Sequence, residues 1–171
     1  MSLEIYNWED LPANNQESIA NLVSSYTQGQ LGEQPQMLPV TTKEVCAKFS
    51  GAVAMACGTF SGYVAAAQPI AHAGSTMSEI GSLWVPLNYR GQGIAQKLVG
   101  HISSDVSNKD VVPFAFCNQL SLGVFLVSGY THAKPEEIPV ESFSFCSNCP
   151  AKPEAGCCDT TLVYKGGENA K

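Results

Sequence analysis

Asn88-Tyr89-Arg90-Gly91-Gln92-Gly93-Ile94-Ala95-Gln96-Lys97-Leu98 is the stretch from which the rest of this chain is read. An extended apolar segment, Glu79 to Val85, runs into it and an amphipathic helical pattern runs out of it, so a tight glycine loop opens a helix at the end of a strand. At a helix start several backbone N–H groups lack partners within the helix. Together with the positive end of the helix dipole they favour a bound anion such as a pyrophosphate. Gly91 and Gly93 let the backbone approach that anion closely. The same two glycines would serve any strand-to-helix turn that binds nothing, so the spacing has to discriminate.

Dinucleotide-binding loops need G-x-G-x-x-G early in the chain with an acid further on, and P-loops need G-x-x-x-x-G-K-[ST]. Neither is present around Gly91 and Gly93. What fits is Arg-x-x-Gly-x-Ala, carried by Arg90, Gly93 and Ala95. This resembles the acyl-CoA pyrophosphate loop of the GCN5-related N-acetyltransferases. The likeness extends from about Met77 to Tyr130, in the family's order: a strand (Glu79 to Pro86), the loop, a helix (Gln92 to Ser107), a strand (Val111 to Cys117) and a helix (Gln119 to Ser128). A second signature of the family is an Asn ending the later strand, then a small residue, an aromatic and Gly-aromatic. Asn118, Ser121, Phe125, Gly129 and Tyr130 reproduce it. The resemblance implies a mixed α/β fold, a central twisted sheet flanked by helices, with acyl-CoA held at splayed middle strands. The implied activity is direct transfer of an acetyl group from acetyl-CoA to a primary amine.

The resemblance also assigns residues. The pyrophosphate would rest on the amides of Gly91, Gln92, Gly93, Ile94 and Ala95, with Arg90 adding charge. Leu83, Trp84 and Val85 would form the splayed strand whose free backbone groups hold the pantetheine arm. Pro86 supports a break in pairing there, because proline cannot donate to a ladder. Asn118 either hydrogen-bonds the pantetheine amide or caps the next helix, and Ser121 and Phe125 belong to the same cofactor-facing segment. Acyl transfer to an amine also needs a base, and donors for the tetrahedral oxyanion. Glu79 lies where the family has a glutamate acting as general base, directly or through water; its alternatives are an edge acid or an anchor for the substrate amine. A base working near neutral pH gains from a burial-raised pKa. Many members place a tyrosine, the general acid, where this chain has Phe125, which cannot donate a proton. Either Tyr130 or Ser121 substitutes, or water reprotonates the thiolate, or the domain is a non-catalytic acyl-CoA-binding or regulatory module. Tyr130 otherwise reads as a core aromatic after the helix-ending Gly129.

Composition sets the outer bounds. The 171 residues, 44% hydrophobic, suit one domain over residues 1–165 with a disordered tail over 166–171. A net charge of −6 with no cluster among nine basic residues argues against nucleic acid or an anionic membrane as partner. The expected partner is a small-molecule or peptide amine, with a homodimer left open. No signal-like segment opens the chain and no apolar run approaches ~20 residues, so the expected location is cytoplasmic. Further strands are expected at Met1 to Asn7, Ala52 to Cys57 and Tyr63 to Gln68, and a helix at Asn14 to Tyr26 capped by Asn14 or Asn15. Gln28 to Val40 reads as a loop, Thr41 or Thr42 as the cap of a helix reaching Ser50, and Pro69 to Thr76 as a polar linker.

Of seven cysteines, Cys46, Cys57 and Cys117 sit in apolar contexts that suggest core residues, and four lie together as Cys146-x-x-Cys149 and Cys157-Cys158. Cys146 and Cys149 would make a good zinc knuckle. The adjacent pair makes a poor second one, since neighbouring strand side chains point to opposite faces. Structural zinc on these four, with Asp159 as a substitute ligand, a redox pair, and plain thiols are the three alternatives. His72, His101 and His132 form no constellation readable from spacing, so a hydrolase triad is not indicated.

Overall fold

Ser50–Ala56 (β2) and Thr59–Ala66 (β3) are buried over nearly their whole length, and Cys57 and Gly58 between them both take left-handed backbone conformation, φ 49° and 76°. A two-residue turn at positive φ matches the twist of paired strands, so the ladder closes at Ala56↔Thr59. The sequence places the connection at Gly58 to Gly62. The structure instead carries Thr59 to Gly62 into β3, and the turn leaves Cys57 exposed rather than in the core. Cys46 is exposed too, because it ends the short helix Thr42–Cys46 (α2), which buries only Val45.

The computed structural model describes residues 2–35, 37–139, 141–142 and 158–166. Besides β2, β3 and α2 it contains β1 (Leu3–Asn7), α1 (Ala13–Thr27), β4 (Ile70–His72), β5 (Ser75–Trp84), α3 (Ile94–Ser107), β6 (Val112–Cys117), α4 (Gln119–Val127), β7 (Tyr130–His132) and β8 (Thr160–Tyr164). The sheet order is β1-β2-β3-β5-β6-β8-β7, with β4 also on β5. Every pairing is antiparallel except β5 with β6. Parallel neighbours need a long crossover, and α3 supplies it.

Alternation along the strands splits the core into two layers. Ala52, Ala54, Val64 and Ile80 meet Leu98, Val99 and Ile102 of α3 and Phe125 of α4 on one face. On the other, Val53, Tyr63 and Trp84 meet Ile19, Val23 and Tyr26 of α1 and Val45 of α2. Helix α1 starts after Pro12, its N-cap, with no side-chain cap, so neither Asn14 nor Asn15 caps it; both lie inside the helix. Thr41 does cap α2, in a reciprocal box with Glu44, but that helix ends at Cys46 and Ser50 begins β2. The expected linker Pro69 to Thr76 is a small hairpin, β4 with the start of β5, turned by Ala73 and Gly74 at positive φ. Among the described residues no helix is long and apolar enough to cross a membrane.

Candidate active site

Strand β5 carries one residue too many for its neighbour. Between Gly81 and Trp84 it takes three steps while β3 takes two, from Ala65 to Tyr63, and Ser82 absorbs the excess with φ 54°. This is a β-bulge, which bends a strand and ends regular pairing. On its other edge β5 pairs with β6 only at Met77↔Val112, Ser78↔Pro113 and Glu79↔Phe114. Beyond Glu79 the two strands part, while β6 continues to Cys117 paired with β8. A cleft therefore opens through the sheet, with Glu79 at its vertex, the end of β5 on one wall and Ala115–Cys117 on the other. The expected splay at Leu83, Trp84 and Val85 is present. Nothing in the sequence marked Ser82 as its cause, because serine rarely takes positive φ.

The loop entering α3 closes one end of this cleft. Gly91 (φ 74°) and Gly93 (φ 75°) are both left-handed, and a Cβ on either would meet nothing within 4 Å, so the surface they form is open. Gly93 precedes α3 without a side-chain cap, and the first recorded amide bond of the helix is Lys97 N to Gly93 O, 3.1 Å. Among the described residues the amides of Gly91 to Gln96 thus have no acceptor, the condition that an anion bound at a helix start requires. Ile94 and Leu98 anchor it, 1% and 0% exposed.

Glu79 is half-buried, and burial raises its carboxyl pKa above the usual range, the charge of Lys48 partly offsetting this. Gly81, next on the same face, sets no side chain beside it: a Cβ there would stand 3.4 Å from Glu79 Oε1. No hydrogen bond to the carboxylate is found among the described residues, so it is free to accept one from a substrate. On the opposite wall burial pushes the Cys117 thiol up to about 12, the Ser121 hydroxyl holding it back in part, while Cys158 and Glu79 add to the rise. Glu79, Cys117, Ser121 and Cys158 therefore share one electrostatic neighbourhood.

Other predicted residues fall into place differently. Asn118 Oδ1 accepts from the amides of Leu120 and Ser121, at 3.1 and 3.0 Å, so it caps α4, and the Ser121 hydroxyl is turned back on it at 3.2 Å. The side chain of Trp84 leaves the cleft and stacks on Tyr26, centroids 4.3 Å apart, so only its backbone can face a cofactor. Phe125 is 2% exposed and meets Tyr130 edge-on at 5.0 Å. Tyr130 is equally buried, its hydroxyl shares a 2.7 Å hydrogen bond with Ser103, and burial raises its pKa, so its geometry is that of a core aromatic. Arg90 does not point freely at the cradle: its Nη2 donates to Glu33 Oε2 at 2.9 Å and its Nε to the Val85 carbonyl at 2.8 Å. Sequence reasoning did not single out Glu33.

Of the C-terminal cysteines only Cys158 belongs to the described residues; Cys146, Cys149 and Cys157 lie outside them. Among the described residues no group of His, Cys, Asp or Glu could hold a metal ion. His101 is held by Asn7 Oδ1 at 2.7 Å and His72 by the Glu136 carbonyl at 2.9 Å, both away from Glu79. A cavity of about 280 Å³ lined by His72, Met77, Glu137 and Lys165 lies at the paired end of β5 and β6, away from the cleft.

No protein-family model matches the chain, and no curated protein matches it. Solved structures do. An acetyltransferase of the GNAT family from Staphylococcus aureus superposes with a TM-score of 0.61 at 12% identity, over 95% of this chain and 98% of that one. N-acetylglutamate synthase from Neisseria gonorrhoeae, complexed with coenzyme A and N-acetyl-glutamate, matches with a TM-score of 0.62 at 16% identity, over 96% of this chain and 35% of that one. A predicted acetyltransferase with acetyl-CoA from Clostridium acetobutylicum gives 0.59 at 12% identity, over 81% and 96%. The chain has the fold of the GCN5-related N-acetyltransferases, as its loop motif implied.

Proposed function

We propose that this protein is an acyl-CoA-dependent N-acetyltransferase that moves an acetyl group from acetyl-CoA to a primary amine by direct attack. The observation that carries this is the parting of β5 from β6 at Glu79, beside the uncapped start of α3. The residues present fit the cofactor: an open, left-handed glycine loop, amides without acceptors and an unpaired strand edge. The amides of Gly91 to Ala95 would hold the pyrophosphate, and the backbone of Leu83, Trp84 and Val85 the pantetheine arm. When bound, acetyl-CoA supplies the activated thioester.

Glu79 takes the proton of the attacking amine, directly or through water. Its raised pKa suits that step, because a base is most effective when its pKa lies near the working pH. An oxyanion would be met by unpaired amides of β5 beyond the bulge. The leaving thiolate is reprotonated by water or by the Ser121 hydroxyl, since Phe125 has no proton to give and Tyr130 is buried against Ser103. Acetyl-CoA titration by calorimetry into the wild type and into Gly93→Glu tests the site. We expect saturable binding by the wild type that the variant loses, because its carboxylate would occupy and repel at the cradle; no binding by either overturns the proposal. Wild-type binding would justify an amine screen across small polyamines, amino acid derivatives, aminoglycosides and peptides.

Phe125 and the burial of Tyr130 favour a second reading, a non-catalytic acyl-CoA-binding module. The two separate on Glu79→Gln. Loss of acetyl transfer with acetyl-CoA affinity intact supports the enzyme, and acetyl-CoA binding with no amine acetylated supports the module. A cytoplasmic location and an amine partner belong to the enzyme reading.

A further inference from the structure

The contact between Glu33 and Arg90 ties two segments that the sequence keeps far apart. The loop from Gln28 to Val40 leaves α1 beside Tyr26, which stacks on Trp84 at the end of β5. Its base is closed by Thr27, whose Oγ1 accepts from Val40 N at 3.0 Å and donates to the Ser24 carbonyl at 2.9 Å. Gly29 and Gly32, φ 73° and 76°, turn it back, and Glu33 then spans the gap to the cofactor loop with both oxygens. Oε1 accepts from Leu87 N at 3.1 Å and Oε2 from Arg90 Nη2 at 2.9 Å. The Glu33 side chain is 15% exposed, the Arg90 side chain 44%. Arg90 in turn is fixed to the Val85 carbonyl, just past the end of β5. One carboxylate thereby fastens this loop to both ends of the turn Leu87–Arg90 that leads into the cradle.

Such a tie conflicts with a phosphate-binding role for Arg90. A guanidinium carrying its one charge against a carboxylate offers little net field to an anion, and any phosphate drawing Arg90 away would leave Glu33 beside it as a like charge. We infer that Glu33 and Arg90 are positioning residues that fasten the loop Gln28–Val40 to the cofactor loop, so that Arg90 holds this tie and is not a ligand of the cofactor phosphates. This rests on the acyl-CoA reading for the identity of the cofactor, and on the contacts alone for the tie.

Amide hydrogen exchange of the whole chain tests the tie without any ligand. Glu33→Ala, which removes both bonds, should speed exchange of the amides around Gly29 to Glu33 by about tenfold or more, and Arg90→Gln, which removes one of them, by a smaller factor. In the double variant the two effects should not add. Exchange in α3 should be unchanged in each, which separates a local release from general unfolding. Calorimetry with acetyl-CoA should give Kd values within about threefold of wild type for both variants. Glu33→Asp, which keeps the carboxylate, should restore part of the lost protection. Unchanged loop exchange in Glu33→Ala would overturn the tie. An Arg90→Gln variant that loses acetyl-CoA while Glu33→Ala binds it more tightly would show that Arg90 is a phosphate ligand after all. If the wild type binds no acetyl-CoA, the acyl-CoA reading falls, and the exchange comparison alone decides the tie.

Discussion

Gly62→Ala puts the packing that holds the cofactor cradle to a direct test. A Cβ at this position of β3 would stand 2.8 Å from Leu98 Cδ1, 3.2 Å from the Trp84 carbonyl oxygen and 3.3 Å from Ile94 Cγ2. Carbon atoms in good contact lie about 3.5–4.0 Å apart, so all three must give. Leu98 and Ile94 are 0% and 1% exposed and have no solvent to retreat into, and the Trp84 oxygen is backbone. Either α3 lifts off β3, or β3 and β5 shift. Overpacking of this kind costs about 1–3 kcal/mol. Taking about 2 kcal/mol, and roughly 2–4 °C of Tm per kcal/mol for a domain of this size, scanning calorimetry should show Tm lower by about 4–8 °C. Because Ile94 and Leu98 form the first turns of the helix whose amides make the cradle, acetyl-CoA Kd measured well below Tm should weaken by about threefold or more. Stability within about 0.5 kcal/mol of wild type would refute the packing argument. Lower stability with unchanged Kd would refute the link between the β3–α3 contact and the cradle.

Glu79→Gln should cut acetyl transfer by about 10²–10⁴-fold, measured as free thiol released, without weakening acetyl-CoA. Since burial raises its folded pKa, the wild-type rate should climb with pH through an apparent pKa above the usual carboxylate range. The same shift fixes the sign for stability. The contribution of Glu79 is fully present below its unfolded pKa and is lost as pH rises through the higher folded value, so the Gln variant should equal wild type in acid and exceed it at neutral pH in denaturant titrations. Tyr130→Phe removes a buried hydroxyl bonded to Ser103 and should cost about 1 kcal/mol, with the transfer rate within about twofold of wild type. A loss of about a hundredfold would instead make Tyr130 the general acid.

The parts of the site legible in the sequence are those set by local backbone chemistry. Gly91 and Gly93 mark a left-handed loop because other residues rarely go there, and Ile94, Leu98, Val99, Ile102 and Val106 announce the buried stripe of α3 by their period alone. Asn118 was readable as a cap for the same reason, its side chain reaching only its own helix. The connection between β2 and β3 reads as Gly58 to Gly62 in the sequence because Gly62 looks like a turn residue, whereas it is kept small by α3 pressing on β3. That pressure comes from a segment far along the chain, and no local pattern records it.

That a glycine loop joins an apolar strand to an amphipathic helix, in a spacing that resembles acyl-CoA loops, can be read from the residues alone, since φ preference and periodicity belong to single residues and short windows. Where β5 leaves β6, that Ser82 takes the strain of the bulge, that Glu79 stands at the vertex and that Arg90 is held by Glu33 emerge only once the chain is folded. Each of these depends on which segments lie side by side, and register and ion pairing are fixed by neighbours in space rather than in sequence.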